Sequence, residues 1–165
     1  MIKKLPKAVR SEEFPLLIKA TRKNDHSARI AFLLAYGSGL RISEVLALKP
    51  ENIKEKSIEI WNAKGGRDRI VPRPKGFKDW MLKFLPIVKG ERALELNFKK
   101  AAKKAGLPNY YVFHSLRHGF ATRMIENGVP INQVQLLLGH SNIATTSIYS
   151  QARPVDALKS YEELF

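Results

Sequence analysis

His114-Ser115-Leu116-Arg117-His118-Gly119-Phe120-Ala121-Thr122 is the stretch whose reading decides the fold. Leu116, Phe120, Ala121 and Met124 recur at helical spacing and form one apolar face, so a helix is predicted over 114–127. Gly128 ends it, as a residue that accepts the left-handed C-cap conformation. Pro130 then opens a second helix over 131–138, which Gly139 ends. A third short helix is predicted over 143–149, after Asn142. The last third of the chain therefore reads as short helices punctuated by glycine and proline.

Upstream, Ser11-Glu12-Glu13 reads as a helix start, an N-cap hydroxyl followed by acids in the electropositive first turn. Phe14, Leu17, Ile18 and Thr21 then share a face. A second helix begins near Asp25-His26-Ser27, carries Ile30, Leu33, Leu34 and Tyr36, and breaks at Gly37-Ser38-Gly39. A short third one turns Ile42, Val45, Leu46 and Leu48 inward and stops at Lys49-Pro50. Residues 57–61 alternate polar and apolar, Lys64-Gly65-Gly66-Arg67 reads as a turn, and Arg69-Ile70-Val71-Pro72 as the return strand. Lys64 then lies at or beside the tip of a hairpin. Two amphipathic helices are predicted over 77–85 and 91–105. The expected fold is mainly α with a small antiparallel β-sheet, in one domain over residues 1–165.

The chain carries 29 Lys and Arg against 15 Asp and Glu, a net charge of +14 on 165 residues. Such an excess predicts attraction to polyanions through phosphate neutralisation and counterion release. Its densest part includes Lys75, Lys78, Lys83, Lys89, Arg92, Lys99, Lys100, Lys103 and Lys104, which reads equally as a phosphate-tracking face or a solvated one. There is no cysteine, which excludes disulfides, thiolate metal sites and cysteine nucleophiles. No apolar run approaches the roughly 20 residues of a membrane span. The first residues, Met1-Ile2-Lys3-Lys4-Leu5-Pro6, do not read as a signal peptide.

His114 and Arg117 lie three apart at a helix start and can project from one face. Taken alone, such a pair reads as solvated. His118 falls on the neighbouring face and reads as a packing residue. The four-residue spacing of His114 and His118 invites a metal, but Ser115 stands where the zincin pattern needs glutamate and no carboxylate lies nearby, so no metal or other cofactor is expected. Tyr149 follows His140 by nine residues, close enough for one pocket to hold both. A tyrosine nucleophile needs positive charge and a proton acceptor, because its ordinary pKa is about 10. Attack on a phosphodiester concentrates charge on the non-bridging oxygens, which two arginines can hold by bidentate hydrogen bonds. The leaving oxygen needs a proton, which a lysine beside a glycine turn can deliver. Arg41, Lys64, His114, Arg117, His140 and Tyr149 suffice for that chemistry without a metal.

With these residues in place, the sequence resembles the catalytic domain of the tyrosine recombinases, the group of phage and virus integrases and Xer-type recombinases. The resemblance runs from Leu5 to about Gln151. Gly39-Leu40-Arg41-Ile42-Ser43-Glu44 looks like the first arginine box, and Lys64-Gly65 before Arg69-Ile70-Val71-Pro72 like the lysine hairpin. His114-Ser115-Leu116-Arg117 looks like the His-x-x-Arg box, and Leu138-Gly139-His140-Ser141 with Thr145-Thr146 and Tyr149 like the closing box. The resemblance implies that Arg41 and Arg117 bind the scissile phosphate and that Tyr149 attacks it, leaving a 3′-phosphotyrosine link. It implies Lys64 as general acid, His114 as acid/base, His140 on a phosphate oxygen and Glu44 as a residue that orients the others. It also implies double-stranded DNA as partner, a DNA-bound tetramer formed from a free monomer or weak oligomer, and a cytoplasmic, DNA-associated location.

Gln151 stands where the family often has histidine, and the stretch between Pro72 and His114 looks short. No core-binding domain of the kind that closes a clamp on DNA is recognisable before Leu5, so weak DNA binding with little site preference is expected. Leu158, Tyr161, Leu164 and Phe165 fall at helical spacing and either pack on a neighbouring protomer or fold back on their own chain. Three rivals share parts of this pattern: a type IB topoisomerase, a basic DNA-binding module without catalysis, and a metal nuclease.

Overall fold

Asp25 starts the helix around which the rest is built: its side chain accepts the Ala28 N–H at 3.1 Å. Helix α2, His26–Ser38, buries nine of its residues, among them Ile30, Phe32 and Leu34. Gly39 ends it in the left-handed conformation at φ 71°, and an added Cβ would lie 2.6 Å from the Phe120 ring. Glycine is therefore required there both for the turn and for the close approach. The structure is a computed structural model that describes residues 7–61, 68–139, 158 and 161.

Helices α1, Phe14–Ala20, and α3, Ile42–Ala47, flank α2, with α4, Glu91–Lys104, α5, His114–Glu126, and α6, Ile131–Leu138, following later in the chain. Short 3-10 turns cover Pro50–Asn52 and Asp79–Phe84. Helix α5 packs along α2, α4 against α1, α2 and α3, and α6 against α5. Seven- and six-residue helices such as α1 and α3 have little stability of their own. Burial holds them, since each fully buried Leu, Ile or Phe contributes about 1.5–3 kcal/mol.

Strands β1, Ser57–Ile60, and β2, Arg69–Pro72, form the expected antiparallel hairpin. Ile58 faces Val71 and Ile60 faces Arg69 across the ladder, so the buried side of β2 carries Val71 and Arg69 while Ile70 points out. The Ser38 hydroxyl donates to the Pro72 carbonyl at 2.6 Å, fastening β2 to the end of α2. The architecture is thus mainly helical with a two-stranded antiparallel sheet.

The apolar interior divides into a larger cluster, where Phe98 meets Phe32 and Phe113 edge to face, and a smaller one around Phe120, Met124, Val134 and Leu137. Leu158 and Tyr161 pack on the smaller cluster, with the Tyr161 ring 6.3 Å from that of Phe120, so these two residues of the tail rest on their own chain.

Three sequence expectations need correction. Ser11 does not cap α1: residues 11–13 form a turn, and Glu13, at the N-cap, accepts from the Arg10 N–H and the Tyr111 hydroxyl, both at 2.9 Å. Pro15, favourable in a first turn, then sets the start. The helix expected over 77–85 is a 3-10 segment, Asp79–Phe84, because Pro86 disfavours helical geometry at Leu85. Finally, Gly37 lies within α2 and does not interrupt it. The helix expected over 143–149 lies outside the described residues.

Candidate functional site

Arg117 is a residue of the first turn of α5 with only 3% of its surface exposed. A cation that deep must be paired or hydrogen-bonded. Its partners are carbonyls at two helix ends: Nη1 donates to Gly39 O and Nη2 to Leu138 O, each at 2.9 Å. The last carbonyls of a helix have no partner within it and carry the negative end of its dipole, so a guanidinium suits them. Both ends turn on glycine in the left-handed conformation, Gly39 after α2 and Gly139 after α6 at φ 68°. Helix α5 therefore brings Arg117 to the meeting point of α2 and α6.

Glu44 and Arg69 form the neighbouring pair. Glu44, 7% exposed, accepts Arg69 Nη1 and Nη2 at 2.9 and 2.8 Å, a fork-on-fork arrangement. Arg69, 9% exposed, also donates from Nε to Leu137 O at 2.7 Å. Glu44 Oε2 further accepts the Arg41 backbone N–H at 2.9 Å, which caps the start of α3. Burial pushes the Glu44 carboxyl up, but the Arg69 hydrogen bonds and charge, the Arg41 N–H and the Arg117 charge outweigh it and hold the group below its ordinary value. Burial and the positive charges of Arg41 and Arg69, offset by Glu44, bring Arg117 down to about 10.

The electrostatic consequence is specific. Arg41 and Arg69 each stand close enough to repel Arg117, and Glu44 supplies one compensating anion. Arg41 is half-buried at the N-cap of α3. An oxyanion placed between Arg41 and Arg117 would add to the compensation that Glu44 supplies. Two of the five N–H donors of Arg117 are used by the carbonyls, and the guanidinium has others to give.

The expected His114–Arg117 pair therefore splits: the first is exposed, the second is buried. The His114 and His118 rings meet edge to face, 4.6 Å between centroids. His118 corrects the packing expectation: it is exposed, because its position on α5 falls outside the face that α2 covers. Partial burial, with Arg117 and Lys7 nearby, keeps its pKa below the ordinary histidine value. Among the described residues, no group of three or more His, Asp or Glu is placed to hold a metal. Lys64, His140 and Tyr149 lie outside the described residues.

Arg69 is the site residue that sequence reasoning missed. The signal was available in the strand alternation. Val71 sits on the inward face, so Arg69 must too, and a cation on a buried strand face requires an acidic partner. The lysine-rich stretch resolves more plainly. Lys89 is bound to Asp25 and Asn97 at 2.7 and 2.9 Å, and Lys99 donates to the Asn109 carbonyl, whereas Lys100, Lys103 and Lys104 stand exposed on α4.

Comparison with known proteins covers nearly the whole chain. The model of the phage integrase family matches residues 7–90 and 88–155. The tyrosine recombinase XerA of Thermococcus onnurineus is 36% identical over 181 residues, covering 98% of this chain and 63% of that protein. The crystal structure of XerA recombinase superposes with a TM-score of 0.70 at 26% identity, over 97% of this chain and 65% of that one. A site-specific recombinase, XerH, bound to palindromic difH substrate in a post-cleavage complex, shares the fold with a TM-score of 0.69 at 21% identity, over 97% of this chain and 54% of that one. The chain thus spans just under two thirds of the length of the relative from Thermococcus.

Proposed function

The chain belongs to the phage integrase family, and on that premise we propose that it is a site-specific recombinase catalytic domain that cuts and rejoins DNA strands through Tyr149. The Tyr149 phenolate attacks the scissile phosphorus, the bond from phosphorus to the 5′ oxygen breaks, and the strand remains linked as a 3′-phosphotyrosine. His114 takes the phenolic proton and Lys64 gives one to the departing 5′ oxygen. Arg41, Arg117 and His140 hold the non-bridging oxygens as charge develops on them. Glu44 orients Arg41 and Arg69, and His118 lies against His114. Attack by a 5′ hydroxyl on the phosphotyrosine reverses the step, so the bond energy is kept in the covalent link and joining needs neither ATP nor metal.

The observation that carries this reading is the buried Arg117, its guanidinium held by the Gly39 and Leu138 carbonyls beside Arg41 and the Glu44–Arg69 pair. Such a cluster suits a phosphodiester, a singly charged anion with two exposed oxygens for two forks. Double-stranded DNA is the substrate that this chemistry and the net charge of +14 both favour. Exchange between two duplexes requires several protomers on DNA, and a DNA-bound tetramer is the assembly proposed. In this reading residues 1–165 act as the catalytic domain.

Strand exchange between two differently labelled duplexes in EDTA tests the reading. A joined strand carrying both labels is the expected product. Relaxation of supercoiled plasmid with no exchanged strand would instead favour topoisomerase chemistry, and loss of all cleavage in EDTA a metal nuclease.

A further inference from the structure

Arg69 has no part in the chemical steps set out above, yet it joins three elements. Its Nε holds Leu137 O at 2.7 Å, and its two terminal nitrogens hold both Glu44 oxygens at 2.9 and 2.8 Å. The backbone is shaped around it: a Cβ at Gly139 would lie 2.8 Å from Arg69 Cδ and 2.9 Å from Nη1. Leu137 and Leu138 offer consecutive carbonyls at the end of α6, the first taken by Arg69 and the second by Arg117. Glu44 in turn accepts the Arg41 N–H, so one carboxylate connects Arg69 to the residue at the start of α3.

We infer that Arg69 is a positioning residue that locks the end of α6 to the first turn of α3, and so fixes the spacing of Arg41 and Arg117. The inference rests on the strand-cleavage reading. A lysine cannot replace it, because one ammonium cannot span two carboxylate oxygens in a plane and reach a backbone carbonyl as well. The rival account makes Arg69 a counter-charge for Glu44 and nothing more. The two differ in what a substitution that keeps the positive charge should do.

The test uses the full chain with Arg69→Lys, reading thermal melting, non-covalent DNA binding and the rate of covalent adduct formation on a suicide duplex, with Tyr149→Phe as the blank. Positioning predicts a folded protein with nearly unchanged binding and an adduct rate about 100-fold lower, the loss that a displacement of about 1 Å in the reacting groups can produce. An adduct rate within about threefold of the unaltered protein overturns the inference. Should Arg69→Lys not fold, Arg69→Met with Glu44→Gln removes both buried charges together while an amide oxygen can still accept the Arg41 N–H, and it carries the same two readings. If the unaltered chain itself forms no adduct that Tyr149→Phe abolishes, the cleavage reading fails, and the role of Arg69 fails with it. A slow Arg69→Lys beside an active parent supports both.

Discussion

Positive charge takes two forms in this protein. At the junction of α2, α3, α6 and β2 it is arginine, buried, with its nitrogens assigned to named carbonyls and to one carboxylate. Along α4 it is lysine, with Lys100, Lys103 and Lys104 exposed to solvent. The first form fixes atoms, so it suits an anion at a defined place. The second fixes nothing, is screened by salt and draws a polyanion towards the surface without choosing an atom. In the proposed function the difference separates catalysis from attraction, and each form can be removed without the other.

The largest effect should follow from the buried form. Arg117→Ala should lower the rate of strand cleavage by of order 10²–10³ or more, the loss of a preorganised donor in the transition state. Single-turnover cleavage on a suicide duplex measures it, and near-normal rates in both Arg117→Ala and Arg41→Ala would remove the phosphate clamp from the account. Glu44→Ala comes next. It leaves the Arg69 guanidinium buried without its carboxylate, and breaking a buried pair in this way destabilises by about 3–5 kcal/mol. A urea or thermal melt should show it, whereas Glu51→Ala, on the exposed surface, should melt like the parent.

Acid sharpens the same contrast. The Glu44 carboxyl is held below its ordinary value in the folded chain, so the unfolded chain binds the proton more readily. Its contribution is present in full above the ordinary carboxylate pKa of about 4.3 and is lost as pH falls through the depressed folded value. Asp25, held down by Lys89 and the Ala28 N–H against the opposing effect of burial, adds in the same sense. The melting temperature should therefore hold above about pH 5 and fall below about pH 4. The gap between the parent and Glu44→Gln should close there; a constant gap down to pH 2 would mean that the fold does not lower the Glu44 pKa.

The smallest effect belongs to the exposed form. Replacing Lys100, Lys103 and Lys104 together with alanine should weaken DNA binding evenly across sequences. The slope of log affinity against log salt should flatten by up to about 0.9 for each phosphate contact removed. Cleavage of DNA already bound should hardly change. An unchanged salt slope would show that this face of α4 does not meet DNA.

Much of this was legible in the chain. Asp25, Gly39, Gly128, Pro130 and Gly139 punctuate it at the places where helices start and stop, because capping chemistry acts within a turn and leaves its mark in adjacent residues. The hairpin follows from alternation over 57–61 and the return over 69–72. Harder to read was everything that depends on a distant partner. Ser11 has an N-cap side chain, but Glu13 is drawn to Tyr111, some hundred residues away. Arg117 and His114 look equivalent as a pair, and only the carbonyls of Gly39 and Leu138 decide which of them is buried. Arg69 belongs to the same class, since its role depends on Glu44 and Leu137 together. Of the proposed chemical set, Arg41, His114 and Arg117 fall among the described residues, and the two arginines are the members whose charges meet there.

The measurement that bears most directly on the central claim is incubation with a nicked suicide duplex in EDTA, run on a denaturing gel for the parent chain and Tyr149→Phe. The account predicts a protein–DNA band that resists denaturation, with the DNA 3′ end attached, and its absence in Tyr149→Phe. A band that persists in Tyr149→Phe, or cleavage that leaves no covalent protein on the DNA, would contradict it.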